Sequence, residues 1–109
     1  MIAALSRRVD FLLLKETGTT RRSGPLRARV VLADPPVTTV KLGFTVGRSF
    51  GTAVKRNRVR RRLRHGISDA AQSTQVATTH VLVGAAPAAL CIGYSDLVDH
   101  CRRLLEPAP

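Results

Sequence analysis

The stretch Lys55–Arg64, KRNRVRRRLR, carries seven cations in ten residues around a single asparagine. In a helix that turns about 100° per residue, three apolar side chains in and after this stretch fall on one edge: Val59, Leu63 and Ile67. The polar side chains at the same spacing gather on a neighbouring face: Asn57, Arg60, Arg61 and Arg64. The stretch therefore predicts an amphipathic helix that buries one face and presents positive charge on the other.

Arginine supplies six of the seven cations in this stretch. Its planar guanidinium suits bidentate phosphate contacts and stacking on bases better than a lysine ammonium does. A solvated basic helix and a disordered basic tail are alternative interpretations of such a run. A tail would have no apolar edge to dock, and Asn57 adds a group that both donates and accepts hydrogen bonds. We therefore interpret the stretch as an RNA-binding helix.

The composition favours the same kind of partner. The chain has 109 residues, of which 18 are Lys or Arg and 7 are Asp or Glu, giving a net charge of +11. With 44% hydrophobic residues, a chain of this length is expected to fold as one domain, residues 1–109, with a modest core. No acidic residue occurs between Asp34 and Asp69, an interval that holds Lys41, Arg48 and the basic stretch. Such a distribution suits a polyanion.

Neither a membrane span nor a metal site is predicted. No segment approaches the roughly 20 apolar residues of a spanning helix. The first residues do not form a secretory signal, so a cytoplasmic location is expected. Cys91 and Cys101 form no C-x-x-C pair, and we expect both to be reduced. Together with His80 and His100 they match no zinc-ligand spacing.

Turn residues and hydrophobic periodicity predict elements in the order αβββαβα. The first predicted helix runs over Leu5–Lys15, with Ser6 as a possible cap and with apolar residues at helical spacing: Leu5, Val9, Leu12 and Leu13. The second is the basic helix from residue 53 to about 71, and the last is a helix that Ser95 caps and that runs through Leu105. The predicted strands are an edge strand at Thr19–Ser23 and further strands at Arg27–Leu32, Val40–Val46 and His80–Val83. In the last helix the inward-facing residues are predicted to be Leu97, Val98, Cys101, Leu104 and Leu105.

Three motifs within these predicted elements are typical of one family. The first is the signature Ala-Val-x-Arg-Asn-Arg-x-Lys/Arg-Arg-x-x-Arg, which stands here as Ala53, Val54, Arg56, Asn57, Arg58, Arg60, Arg61 and Arg64. The second is a preceding Leu-Gly-Phe-x-Val strand at 42–46, and the third an early Arg-x-Asp-Phe at 8–11. With these motifs the chain resembles, over nearly its whole length, the protein subunit of bacterial ribonuclease P. It departs from the family pattern at Gly47-Arg48-Ser49, where Ser-Lys-Lys is usual, and at Lys15, where an aromatic residue often stands.

The resemblance implies a fold as well as a partner. The implied fold is α+β, a two-layer α/β sandwich with a central, mostly antiparallel sheet, like the second domain of ribosomal protein S5. It includes a strand-helix-strand crossover of left hand, whereas the general rule for such crossovers is right-handed.

The implied function is that of the protein subunit of a ribonucleoprotein endonuclease. Such a subunit binds a large catalytic RNA and the 5′ leader of precursor tRNA, and the complex hydrolyses one phosphodiester to give the mature 5′ end. The chemistry then belongs to the RNA and its Mg²⁺ ions, with a monomeric protein in a one-to-one complex with the RNA. The sequence agrees, since its acidic residues are scattered and no catalytic residue can be assigned to the protein.

Two RNA-contacting surfaces are predicted. The surface for the catalytic RNA consists of the signature helix and the loop before it: Arg48, Lys55, Arg56, Asn57, Arg58, Arg60, Arg61 and Arg64. The surface for the leader is a groove between the first helix and the sheet, with aromatic residues for stacking and cations along the backbone: Phe11, Phe44, Arg27, Arg29 and Lys41. Core packing is the alternative interpretation of both phenylalanines.

Two other classes of protein share some of these features. A small ribosomal protein would have the same size, charge and basic helix, but would bind one structured RNA and process nothing. A basic DNA-binding protein would pair its recognition helix with a preceding helix across a short turn, whereas here a strand and a glycine-bearing loop come first.

Overall fold

A computed structural model describes residues 2–5, 7–32, 40–46, 51–73 and 78–106. Its strands are β1 (Ile2–Ala4), β2 (Thr19–Ser23), β3 (Leu26–Leu32), β4 (Val40–Thr45) and β5 (Thr78–Ala85). Its helices are α1 (Arg8–Thr17), α2 (Ala53–Ser73) and α3 (Tyr94–Leu105), with a short 3-10 helix at Pro87–Leu90. The predicted α+β class and the predicted order from the first helix onward are confirmed, but the chain begins with a strand that the sequence did not predict.

The described strands form one sheet in the order β1-β4-β5-β3-β2. The β1–β4 and β4–β5 pairs are parallel, and the β5–β3 and β3–β2 pairs are antiparallel. The sheet is therefore evenly mixed rather than mostly antiparallel, because β1 adds a second parallel pair at the edge. The parallel pairing of β4 with β5 makes β4-α2-β5 a strand-helix-strand crossover, as the resemblance implied.

The core lies between one face of the sheet and the pair α2 and α3. Each helix contributes side chains that are completely buried: Val59, Leu63, Ile67 and Ala70 from α2, and Leu97, Cys101, Leu104 and Leu105 from α3. They pack on alternate residues of the inner strands, including Ala28, Val30, Leu42, Val81 and Val83. The predicted apolar edge of the basic helix is confirmed, and so is the predicted inner face of α3, where Val98 is only partly buried.

Helix α1 lies on the opposite face of the sheet. Arg29 alternates along β3 with the core residues Ala28 and Val30, so its side chain points away from α2 and α3. Its guanidinium donates to the carbonyl oxygens of Leu14 and Lys15 at 2.7 and 3.1 Å. Arg29 thus satisfies the carboxyl end of α1, where helix carbonyls otherwise lack partners.

The first helix differs from its prediction in bounds and in orientation. Leu5 is not helical, because its N–H donates to the carbonyl of Leu42 at 3.0 Å and so continues the β1–β4 pairing. Val9 and Leu12, whose spacing helped to predict the helix, are 62% and 44% exposed. The buried residues are Asp10 and Leu14 instead, because Asp10 has polar partners on the sheet. The predicted cap, Ser6, lies outside the described residues.

The last helix begins two residues earlier than predicted, and the predicted cap Ser95 is wrong. Gly93 is its N-cap and makes no side-chain capping bond, and Ser95 lies within the first turn. The carboxyl end of α3 is held by Arg21 of β2, which donates to the carbonyl oxygens of Leu104, at 3.1 Å, and Glu106. The predicted turn at Asp34-Pro35-Pro36 lies outside the described residues.

Candidate RNA-binding surfaces

The basic helix α2 begins at a defined cap. Gly51 has a φ of +80°, a left-handed conformation that favours glycine. The hydroxyl of Thr52 then accepts a hydrogen bond from the N–H of Lys55 at 3.3 Å, as an N-cap residue does. The first turn has no acidic residue and contains Lys55 and Arg56, although the partial positive charge of a helix amino terminus disfavours cations. The cations at this end of α2 therefore do not stabilise the helix, but they favour an anionic partner.

Most of the predicted cations of α2 are available to a partner. The side chains of Lys55, Arg58, Arg61 and Arg64 are exposed, as is Asn57. Arg60 is partly buried and donates to the amide oxygen of Asn57 at 3.2 Å, which fixes both side chains on one face. Arg56 is also partly buried. The helix thus presents a continuous polar face opposite its buried edge, and Arg48 lies outside the described residues.

One arginine of the run has a structural role. Arg62 donates to the carbonyl oxygens of Ala89 and Ile92 at 2.7 and 2.8 Å, so its guanidinium ties α2 to the segment before α3. Sequence reasoning assigned Arg62 to neither predicted surface and gave no signal for this role. The helix periodicity is consistent with it, since Arg62 projects toward the side of α2 that faces α3 rather than toward the exposed face.

Phe44 does not lie in the predicted leader groove between the first helix and the sheet. This side chain shares a face of β4 with the buried Leu42 and packs partly against the core, so it lies on the side of α2. The guanidinium carbon of Arg64 stands 5.7 Å from the centroid of its ring. Phe44 is therefore separated by the sheet from α1, because the side chains on the other face of β4 are those of Lys41 and Thr45.

The remaining predicted groove residues lie on the same side of the sheet as α1. We call this side the open face, because α1 covers only part of it. Phe11 is 42% exposed, and Arg27 is exposed beside a shallow depression of about 330 Å³. Arg29 borders the same depression, although two of its donors are used by α1. Arg22 of β2 also lines it, a cation that sequence reasoning missed and that the strand alternation of the β2–β3 hairpin could have revealed.

Lys41 belongs to an ionic cluster around the buried Asp10. Asp10, of which only 6% is exposed, accepts hydrogen bonds from His80 Nε2 at 3.0 Å and from Lys41 Nζ at 3.3 Å. His80 Nδ1 lies 2.8 Å from the hydroxyl of Thr79. The hydrogen bond from His80, with the help of Lys41, lowers the pKa of Asp10 even though desolvation opposes it. The cluster fastens α1 to β4 and β5, and so sets the position of Phe11.

The histidines and cysteines of the described residues do not come together as metal ligands. No group of three or more His, Cys, Asp or Glu residues within them is arranged to hold an ion. His80 is bonded to Asp10, and His100 Nδ1 lies 2.7 Å from the hydroxyl of Ser23, so neither joins a cysteine. The carboxylates of the described residues therefore form no cluster that could hold Mg²⁺ by protein ligands alone.

The exposed cationic helix and the mixed sheet define a small α+β protein with a surface suited to RNA. A profile of the family described as Ribonuclease P matches residues 2–108. The chain belongs to the ribonuclease P protein family.

Individual relatives agree with this assignment. The chain is 34% identical to a ribonuclease P protein component of Bartonella quintana, in an alignment that covers 94% of this chain and 80% of the relative. It is 44% identical over 63 residues to a protein of the same description from Acidothermus cellulolyticus, where the match covers 58% of this chain and 52% of the relative. The chain thus spans about half the length of that second relative.

Solved structures show the same fold. The RNase P protein from Thermotoga maritima superposes with a TM-score of 0.75 at 19% identity, with 97% of each chain covered. The RNase P protein of Staphylococcus aureus gives a TM-score of 0.67 at 16% identity, covering 92% of this chain and 89% of the other. Among the described helices, none is both long and apolar enough to span a membrane.

Proposed function

We propose that this protein binds the catalytic RNA of ribonuclease P through α2 and supports removal of the 5′ leader from precursor tRNA. The observation that carries the proposal is the geometry of α2. Its apolar edge is completely buried at Val59, Leu63 and Ile67, while a row of arginines on the other side stays exposed. A helix held this firmly presents its cations in fixed positions, which lowers the entropy lost when phosphates are bound.

In this proposal the protein supplies positive charge and positioning rather than bond-breaking groups. Mg²⁺ and the hydrolytic centre are assigned to the RNA, as the family resemblance implies. The cations of α2 would neutralise phosphates of the folded RNA and release counterions, a gain that is largest at low salt. The protein is proposed to act in the cytoplasm as a monomer in a one-to-one complex with the RNA, a stoichiometry that light scattering of the complex can test.

The leader is proposed to cross the open face of the sheet beside α1. A single strand needs cations along its backbone and a surface on which bases can stack. Arg22 and Arg27 border the depression on this face, and Phe11 is the exposed aromatic residue of α1. Gly84 forms part of the floor, and the Thr45 hydroxyl lies over it, since an added Cβ would come within 2.9 Å of that oxygen.

Reconstitution with the cognate catalytic RNA tests the proposal. Cleavage of precursor tRNA at low magnesium should depend on the protein, and affinity for the RNA should fall by orders of magnitude between roughly 50 and 200 mM salt for about 6 to 10 phosphate contacts. Tight binding without any effect on cleavage would favour the alternative, a structured-RNA-binding protein with no processing role. A flat salt dependence would refute the polyanion interpretation.

A matched pair of variants separates the signature face from general charge. Changing Arg60, Arg61 and Arg64 together to Ala should weaken assembly with the RNA and leave the fold intact, because all three lie off the buried edge. Changing Arg102 and Arg103 of α3 to Ala removes charge elsewhere and should weaken assembly much less, since Arg102 already pairs with Asp99 at 3.5 Å. Losses that scale with the number of charges removed, three against two, would show that total charge governs binding.

A further inference from the structure

A second and larger depression lies on the α2 side of the sheet, at the edge formed by β1. It has a volume of about 790 Å³ and runs between the β1–β4 edge and one flank of α2. The helix contributes Arg60, Arg64 and His65, and the sheet contributes the apolar side chains of Ile2 and Phe44, which pack against the core. Among the described residues that line it, none is acidic. The groove thus has one cationic wall and one apolar wall, and its size suits a small ligand.

The geometry at Phe44 adds a flat surface to this groove. The guanidinium carbon of Arg64 lies 5.7 Å from the centroid of the Phe44 ring, within the range of a cation–π contact. Phe44 is itself packed against the core, so it holds the arginine from below. The Arg64 side chain remains exposed, which leaves it open to the groove. A planar guanidinium supported in this way is a stacking platform for an unpaired base.

The edge of β1 supplies hydrogen-bonding groups on the other wall. In a parallel pair, alternate residues direct both backbone groups toward the partner strand. The N–H of Leu5 donates to the carbonyl of Leu42 at 3.0 Å, which places Leu5 and Ala3 in the inward set. Ala4 therefore directs its N–H and C=O away from β4. In the described part of the chain β1 pairs with β4 alone, so these groups can serve a ligand.

We infer that this groove binds one unpaired nucleotide of the catalytic RNA, with its base stacked on the Arg64 guanidinium above Phe44. Its phosphate would lie against Arg60 and His65, and the edge of its base would meet the backbone of Ala4. This inference rests on the proposed function. It adds a stacking contact with a base to the phosphate contacts proposed for α2. A protein strand could also add to the β1 edge, but it would not use a planar cation, and it would leave the cationic wall without a counter-charge.

Chemical footprinting of the reconstituted complex tests the inference. Base-specific reagents should find an unpaired nucleotide of the catalytic RNA that the wild-type protein protects. Arg64→Lys keeps the charge but removes the planar group, so it should restore reactivity at that base and lower affinity for the RNA by about tenfold. Phe44→Leu, which removes the support of the guanidinium, should restore reactivity at the same base, with thermal melting of the free protein recorded to confirm folding.

Arg61→Lys is the control, because Arg61 lies on the exposed face of α2 and does not line the groove. Its effect on affinity measures the general cost of replacing arginine by lysine, and the protected base should stay protected. If Arg64→Lys and Arg61→Lys give the same footprint, the groove holds no base and the inference is overturned, although protein-dependent cleavage would still uphold the proposed function. If the wild-type protein neither binds the RNA nor supports cleavage, both fail together.

Discussion

Arg61 and Arg62 are neighbours in the basic stretch, and the structure predicts opposite consequences for their loss. Arg62→Ala removes a guanidinium that donates to the carbonyl oxygens of Ala89 and Ile92 at 2.7 and 2.8 Å. Hydrogen bonds from a charged donor contribute about 1.5 to 3 kcal/mol each. Arg62 is only partly buried, so water will replace part of this pairing, and we expect a loss of about 2 to 4 kcal/mol. Arg61 is exposed, and Arg61→Ala should change stability by no more than about 0.5 kcal/mol.

Urea unfolding of the free protein, followed by circular dichroism, measures the difference. Domains of this size have a total stability of about 5 to 15 kcal/mol, so Arg62→Ala should lower the urea midpoint clearly while leaving the slope unchanged. The expected fall in melting temperature is about 10 to 20 °C. Affinity for the RNA should show the reverse order, because Arg61 is proposed to contact phosphate and Arg62 is not. An Arg62→Ala protein as stable as the Arg61→Ala protein would refute the structural role of Arg62.

Three further predictions follow from single side chains. The pKa of Asp10 is lowered below its ordinary value of 3.8. The ionised carboxylate therefore stabilises the fold above pH 3.8, and this stabilisation is lost as the pH falls through the lowered pKa. Asp10→Asn should flatten the acid limb of a stability–pH curve, and an unchanged limb would contradict this. The hydrogen bond to Asp69 raises the pKa of Tyr94 to about 12; since the chain has one Tyr and no Trp, ultraviolet absorbance will report this group alone, and a native midpoint near 10 would show that the bond is absent. Cys91 is exposed and Cys101 is buried, with burial raising the pKa of the Cys101 thiol to about 12; a thiol reagent should label one cysteine in the native protein and both in denaturant.

The basic helix was predictable because its apolar residues recur at helical spacing and also form the stripe that a core requires. Val59, Leu63 and Ile67 recur at helical spacing, and the core needs an apolar stripe of that kind on any helix that packs against a sheet. The same logic predicted the buried residues of α3. These elements depend on local periodicity, which is visible in the chain without knowledge of its partners.

The elements that the sequence did not predict depend on long-range partners. Strand β1 is three residues long, too short for a periodic signal, and it exists because β4 offers it an edge. Asp10 is buried only because His80 and Lys41, both distant in sequence, lie beneath it. Strand alternation predicts that Phe44 and Leu42 share a face of β4, but it does not predict which helix covers that face. The sequence therefore did not place Phe44 on the side of α2.

The central position of β5 also has a consequence for the order of folding. This strand pairs with both β3 and β4, yet it is the last described strand in the chain. The β2–β3 hairpin can form early from local contacts, whereas the two halves of the sheet stay separate until β5 joins them. Such distant pairings make folding slow relative to local structures. The chain therefore completes its sheet, one side of the support for its cationic helix, in a late step, and any fragment that ends before residue 78 should not form that sheet.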